Sequence, residues 1–263
     1  MRNRDAHDVM TRMRSEDGFT IMEVLTAAII GFIVLAGTLG LLESSLRLNS
    51  GVIAKTDAMQ RGRLAMDVVT QQLRSQVCLD GSTFADDIPV SAIVAGSNAN
   101  AVTFYLDFTN TGERPKRRTL TFDTVSKSIK TTTWDSTKDR PAPGDFPATP
   151  SATNVLLENV VPQRNKENTA DIPFLRYYAY TLVGGRPRAE LLLATPLSQT
   201  DADRVARIDV SFFALPTRSK DRKQGVNLAD QVMARHSDPN AFVFNSLTGD
   251  YTAAPDPFCL GHL

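Results

Sequence analysis

The residue types that could carry chemistry are few in this chain, and most stand far apart. Three histidines (His7, His236 and His262) and two cysteines (Cys78 and Cys259) are too scattered to make a zinc site. No Gly-x-Ser-x-Gly elbow, His-Glu-x-x-His pair, P-loop or Gly-x-Gly-x-x-Gly turn occurs. Two carboxylate pairs, Asp86-Asp87 and Asp201-Ala-Asp203, could offer oxygens to Ca²⁺, but neither has the ligand count of a calcium loop and both read better as solvated turns. Arg114, Lys116, Arg117 and Arg118 form a short basic cluster that could meet a phosphate backbone. No aromatic residue is interleaved among them to stack on bases, so a solvated turn is again preferred. Trp134 and the group Tyr177, Tyr178 and Tyr180 read as sheet core or edge. No catalytic residue, metal ligand or cofactor is expected, and the chain is read as something other than an enzyme.

Glu23 is the exception to this ordinary inventory, because it stands about one turn inside an apolar run. Positions 24–42 hold 19 residues without a charge, among them Val24, Leu25, Ile29, Phe32, Leu35 and Leu42, and the next charge is Glu43. At about 1.5 Å per residue, a helix of that length spans roughly 28 Å, close to the hydrocarbon thickness of a bilayer. A soluble core helix would show polar residues at every third or fourth position, and this run does not. It reads as a membrane-spanning helix. An ionised carboxylate inside such a helix is costly and marks a function, unless it lies at the interface facing headgroups.

The flanking residues favour the functional reading. Gly18-Phe19-Thr20-Ile21-Met22-Glu23-Val24-Leu25 resembles the class III signal of type IV prepilins and type II secretion pseudopilins, in which Gly-Phe-Thr, two apolar residues and Glu open the hydrophobic helix. The resemblance implies that a membrane-embedded prepilin peptidase cuts between Gly18 and Phe19 and methylates the new amino group of Phe19. It implies that Glu23, then the fifth residue, pairs with the N-terminal amine of a neighbouring subunit during assembly. Opposite charges in a low-dielectric bundle strongly favour being paired, so such a pair can set the register of one helix against the next. The implied partners are the peptidase, other pilin or pseudopilin subunits, the cytoplasmic membrane and an assembly platform within it. The sequence departs from the family pattern in three places. Glu16 and Asp17 precede Gly18 where Lys or Arg is more usual, Met22 replaces Leu or Ile, and Gly40 stands where many pilins have proline. Gly31, Gly37 and Gly40 supply local weakness, each costing roughly 1 kcal/mol relative to alanine in a helix.

Residues 1–18 fit a leader. Arg2, Arg4, Arg12 and Arg14 balance Asp5, Asp8, Glu16 and Asp17, and no apolar stretch or Ala-x-Ala site precedes Gly18, which argues against a conventional secretory signal. His7 has no role there. Arg12 and Arg14 favour a cytoplasmic N-terminus, which puts the rest of the chain outside the cytoplasm, first at the cytoplasmic membrane and then in a pilus or pseudopilus at the cell surface. Lys+Arg equals Asp+Glu at 29 each among 263 residues. A zero balance argues against a dedicated nucleic-acid binder.

Beyond the apolar run the pattern stays helical over 43–80. Met66, Val69, Leu73 and Val77 fall on one face, with Arg61, Arg63, Asp67, Gln71 and Arg74 filling other positions. Gly51 and Gly62 weaken this segment without forbidding it. After Gly81 the period changes to that of strands, expected at Ala101–Phe108, Arg118–Asp123, Ser128–Trp134, Asn154–Val161, Leu175–Leu182, Ala189–Thr195 and Val205–Leu215. Thr109–Pro115 has turn chemistry and makes a hairpin of the first two. Asp135–Ser151, with Pro141, Pro143, Pro147 and Pro150, reads as an extended surface loop. Ser219–Gly225 is charged and exposed, and Leu228–His236 is a helical turn or an edge strand.

The expected organisation is a cytoplasmic leader (1–18, removed), a transmembrane helix (19–42), its amphipathic continuation (43–80) and an extracytoplasmic β-rich head (81–263). The fold class is α+β, a long N-terminal helix packed on a mostly antiparallel sheet. The order resembles the larger minor pilins and pseudopilins of the PilW and GspJ type. The resemblance implies a structural subunit of a pilus or secretion pseudopilus. The alternative is a single-pass anchored extracellular binding domain or enzyme that carries a prepilin-like anchor. An even, low cysteine count outside the cytoplasm suggests one disulfide between Cys78 and Cys259. Closing a loop of roughly 180 residues would contribute at most about 5 kcal/mol by the chain-entropy model. Alkylating the unreduced, denatured protein should leave its mass unchanged, and two added alkyl groups would exclude the bridge.

Overall fold

No proline occurs before Pro89, and Ile21–Arg74 forms one α-helix, α1, of 54 residues. The structure is a computed structural model that describes residues 19–79, 91–107, 114–138, 141–183, 186–217, 222–234, 242–245 and 250–253. It divides into two units, Met1–Gly51 and Val52–Leu263. In the first, every described residue up to Ser50 is exposed.

In the second unit, α1 buries Ala58, Gly62, Ala65, Met66, Val69 and Leu73. Arg63, Asp67, Gln71 and Arg74 stay exposed, as the amphipathic pattern requires. The helix ends at Arg74, earlier than the expected residue 80. Past the last turn the chain exchanges helical bonds for bonds to a sheet edge. The Val77 N–H donates to the Tyr105 carbonyl at 3.0 Å, and the Asp107 N–H to that of Ser75 at 3.3 Å. Val77 therefore sits beyond the helix rather than on its stripe.

Four strands form an antiparallel meander: β1 (Ala101–Leu106), β2 (Lys116–Asp123), β3 (Ser128–Asp135) and β4 (Ala152–Glu158), in that order. The expected hairpin is the β1–β2 pair, with Phe104 opposite Arg118. β4 ends at Glu158, and Asn159 adopts a φ of 59° before the short β5 (Val160–Val161). The expected continuous strand over 154–161 is thus broken at Asn159, a residue type that tolerates the left-handed region. A small hairpin follows, β6 (Gln163–Arg164) with β7 (Asp171–Ile172), closed by Asn165 Oδ1 accepting from the N–H groups of Thr169 and Ala170. Strands this short leave no periodicity to read.

The second sheet has the order β11–β10–β8–β9, with β5 also pairing β10. Its strands are β8 (Leu175–Val183), β9 (Arg186–Leu192), β10 (Val205–Ala214) and β11 (Val226–Met233). β11 resolves the Leu228–His236 choice as an edge strand over its described part; His236 lies outside the described residues. In β10 Ile208, Val210 and Phe212 are buried and Arg207 and Asp209 are half-buried on the other face, while Ser211 is buried as well, its hydroxyl donating to the Pro173 carbonyl at 2.9 Å. A last hairpin pairs β12 (Phe242–Asn245) with β13 (Asp250–Ala253).

One hydrophobic core joins Ala65, Met66, Val69 and Leu73 of α1 to the inward residues of both sheets. Phe174 links the sheets, its ring 5.4 Å from Phe122 and 6.2 Å from Phe212. The proline-rich segment 135–151 does more than cross the surface. Its 3₁₀ turn, Pro143–Asp145, delivers Phe146 onto Tyr105 at 5.4 Å, and Phe146 is only 7 % exposed. With Leu79, these rings form a second small core flanked by Val77, Val94 and Trp134.

The helix lies close to the second sheet because of Gly62. A Cβ there would stand 2.2 Å from Leu228 Cδ1 and 3.1 Å from Ala214 Cβ. Beside it, Asp57 and Arg61 clamp the chain that leaves β10. Asp57 Oδ2 accepts from the Thr217 hydroxyl at 2.9 Å and its N–H at 3.2 Å, while Arg61 donates to the Leu215 carbonyl at 3.0 Å.

Burial opposes the Asp57 charge, but the Thr217 and Arg61 contacts outweigh it and lower the Asp57 pKa. Asp123, Asp135 and Asp145 are lowered as well, first by Lys130, Lys116 and Lys138 respectively. Asp203 is raised by burial and works in the opposite sense.

Two outcomes follow from these contacts. Gly62→Leu should destabilise the protein by roughly 1–3 kcal/mol, as overpacking does, whereas Gly62→Ala should be close to neutral because helix propensity offsets the shift of the Leu228 tip; chemical denaturation reads both. Carboxylates whose folded pKa is depressed stabilise above their unfolded value and lose that contribution as pH falls through the folded one, so the melting temperature should drop between about pH 5 and about pH 2. Asp57→Asn should flatten part of that drop in a calorimetric pH series.

Candidate functional site

Within the apolar half of α1, every polar side chain that bonds does so to its own chain. Thr26 Oγ1 donates to the Met22 carbonyl at 2.9 Å, and Thr38 Oγ1 to that of Leu35 at 2.8 Å. Such back-bonding is how hydroxyls are satisfied where no water reaches. Around them Ile21, Val24, Leu25, Ile29, Phe32 and Leu35 are all more than half exposed, and Phe19 is 84 % exposed. This is the one helix among the described residues that is long and apolar enough to cross a membrane. The first charges beyond the run, Glu43 and Arg47, pair with each other at 2.5 Å one turn apart.

Glu23 lies at the start of this helix, and its carboxylate is engaged there. The N–H and the hydroxyl of Thr20 donate to Glu23 Oε2 at 3.0 and 3.1 Å. In return the Glu23 N–H approaches Thr20 Oγ1 at 3.3 Å and the Thr20 carbonyl at 2.9 Å. This is a capping box, in which a Thr at the N-cap and a Glu three residues on satisfy each other's backbone donors. Thr20 was not singled out by sequence reasoning, although the Thr-x-x-Glu spacing ahead of an apolar run was there to be read. Phe19 opens the described chain; Gly18 and the rest of the leader lie outside the described residues. Gly31, Gly37 and Gly40 do not interrupt the helix.

The other candidates are occupied by local structure. Lys116 pairs with Asp135 at 2.8 Å, and Arg118 Nε donates to Thr133 Oγ1 at 3.0 Å. The Arg117 guanidinium lies 4.6 Å from the Trp134 ring centroid and 5.5 Å from that of Phe146. Three of the four basic residues therefore lie on a strand, β2, and their cations are spent on its neighbour β3 and on the second core, while Arg114 stands exposed in the bend before the strand. Sequence order hid the aromatic partners, which come from β3 and the loop beyond it.

Asp201 and Asp203 belong to a short helix, α2 (Gln199–Asp203), rather than a solvated turn. Ser198 caps it, accepting the Asp201 N–H at 3.1 Å and donating to Asp201 Oδ2 at 2.8 Å, while Gln199 bonds Asp203. Asp86-Asp87 lies outside the described residues. No group of three His, Cys, Asp or Glu side chains gathers among the described residues.

The tyrosines divide between the two faces of β8. Tyr177 is fully buried, its hydroxyl donating to the carbonyls of Asn98 at 3.0 Å and Ala101 at 3.3 Å. Tyr178 faces the other way, under the Arg207 guanidinium at 4.1 Å. Cys78, half-buried past the end of α1, is disulfide-bonded; the chain's other cysteine, Cys259, lies outside the described residues.

No protein-family model matches the chain, and no curated protein does.

Proposed function

We propose that this chain is a minor type IV pilin or a type II secretion pseudopilin, a structural subunit rather than an enzyme. The observation that carries the reading is that Gly18-Phe19-Thr20-x-x-Glu23 stands in the sequence directly ahead of the apolar run of α1, the one helix among the described residues apolar enough to cross a membrane. In this reading a prepilin peptidase removes residues 1–18 and methylates Phe19. The apolar half of α1 holds the subunit in the cytoplasmic membrane with its N-terminus inside. Assembly through the platform then transfers that half from lipid to the helices of neighbouring subunits, Glu23 meeting a neighbour's N-terminal amine.

Two features support it. Exposed apolar side chains all around residues 21–42 suit lipid first and other helices afterwards. The same helix continues as the packed helix of an antiparallel β head, the order of elements in the larger minor pilins and pseudopilins. A disulfide from Cys78 to Cys259 would tie the C-terminus to the end of that helix.

The test is the intact mass of the protein expressed with a prepilin peptidase, beside a Gly18→Ala control. A mature chain beginning at N-methylated Phe19, lost in the control, is the expected result. Glu23→Ala should then nearly abolish incorporation into a filament while the head melts as in the unaltered protein. An uncut chain in both samples would refute the proposal and leave an anchored binding domain or enzyme.

A further inference from the structure

The Thr20–Glu23 contact bears on how the assembly acid is presented, and the inference rests on the role given to Glu23 under Proposed function. A carboxylate on a flexible stem at the edge of hydrocarbon has two alternatives. It can bend out to the headgroups, or it can be held by donors of its own chain. The structure shows the second. Oε2 takes both the N–H and the hydroxyl of Thr20, at 3.0 and 3.1 Å. This draws the carboxylate back toward the N-terminal side of the helix, onto the peptide that adjoins Phe19. The same hydroxyl oxygen receives the Glu23 N–H at 3.3 Å, so one side chain fixes both the backbone and the carboxylate of Glu23. Thr26 and Thr38, which return their hydroxyls to helix carbonyls, show that self-satisfaction runs through the segment; Thr20 alone directs its hydroxyl at an acid.

We infer that Thr20 is a positioning residue for Glu23, holding its carboxylate in one orientation at the helix start so that it is ready for an incoming cation. The hydroxyl is the part that matters. Valine has nearly the shape of threonine and keeps the backbone N–H bond, yet removes both contacts made through Oγ1. Serine keeps them all. The carboxylate itself stays in every Thr20 variant, so a defect in Thr20→Val would report orientation and not loss of charge.

The test has two arms on the full-length chain, with Thr20→Val, Thr20→Ser, Glu23→Gln and the Val/Gln double variant. In bilayers of phosphatidylethanolamine and phosphatidylglycerol, hydrogen exchange at the Glu23 amide should quicken about five-fold in Thr20→Val, the size of a typical N-cap contribution, and stay near the unaltered rate in Thr20→Ser. In cells with the peptidase, at equal amounts of processed chain by mass, Thr20→Val should lower the assembled fraction several-fold. Glu23→Gln should be as defective, the double variant no worse than Glu23→Gln, and Thr20→Ser close to unaltered. Unchanged exchange and assembly in Thr20→Val would overturn the inference. So would failure of Thr20→Ser alongside Thr20→Val, or losses that simply add in the double variant. An unaltered chain that is never cut refutes the pilin reading instead, and the exchange arm, run on the uncut chain, still decides whether Thr20 holds Glu23.

Discussion

Everything in the N-terminal unit depends on the free energy of apolar surface against water. A helix that is apolar on all sides for 19 residues has no face to give to solvent. Its backbone bonds are closed internally, and its threonines close theirs on the same helix, so the segment asks nothing of a polar surrounding. Against that background one carboxylate is conspicuous. Glu23 is tolerated because the first turn of a helix carries unsatisfied N–H groups and partial positive charge, and Thr20 adds a hydroxyl to them.

The head obeys a different constraint. It must bury one stripe of α1 and the inner faces of two antiparallel sheets against each other, and it does so with aliphatic residues of α1 and a ladder of aromatic rings centred on Phe174. Close approach is set by absence of side-chain volume at Gly62, and the position of the chain beyond β10 by the Asp57–Thr217 and Arg61–Leu215 contacts. Charges elsewhere are used locally. The cations of β2 pair with β3 or lie on rings, and the acids of α2 accept from Ser198 and Gln199 at the start of their own helix.

Legibility in the sequence followed the length of each signal. The unbroken apolar run, the stripe Met66, Val69 and Leu73, and the β-rich stretch Val205–Leu215 are long signals, and each became the helix or strand it called for. Failures came where a few residues were decided by distant partners. The helix stopped at Arg74 because β1 offered Val77 a carbonyl. The proline-rich segment was drawn inward by Tyr105 waiting for Phe146. Arg117 found Trp134 only because β2 and β3 pair in register.

Glu23 illustrates both sides of this division. The sequence alone placed an acid at the mouth of an apolar helix, behind Gly-Phe-Thr, and determined an α+β chain with one segment suited to a bilayer, because composition and period are local properties. Only the folded chain decided the register of the strands, the burial of Phe146, the close approach of Leu228 and Ala214 to Gly62 and the partners of each charge. These depend on which surfaces meet across tens of residues, and no local pattern carries that information. The Thr20–Glu23 box lies between the two. It was written in four consecutive residues, but its hydrogen bonds exist only once the helix has formed.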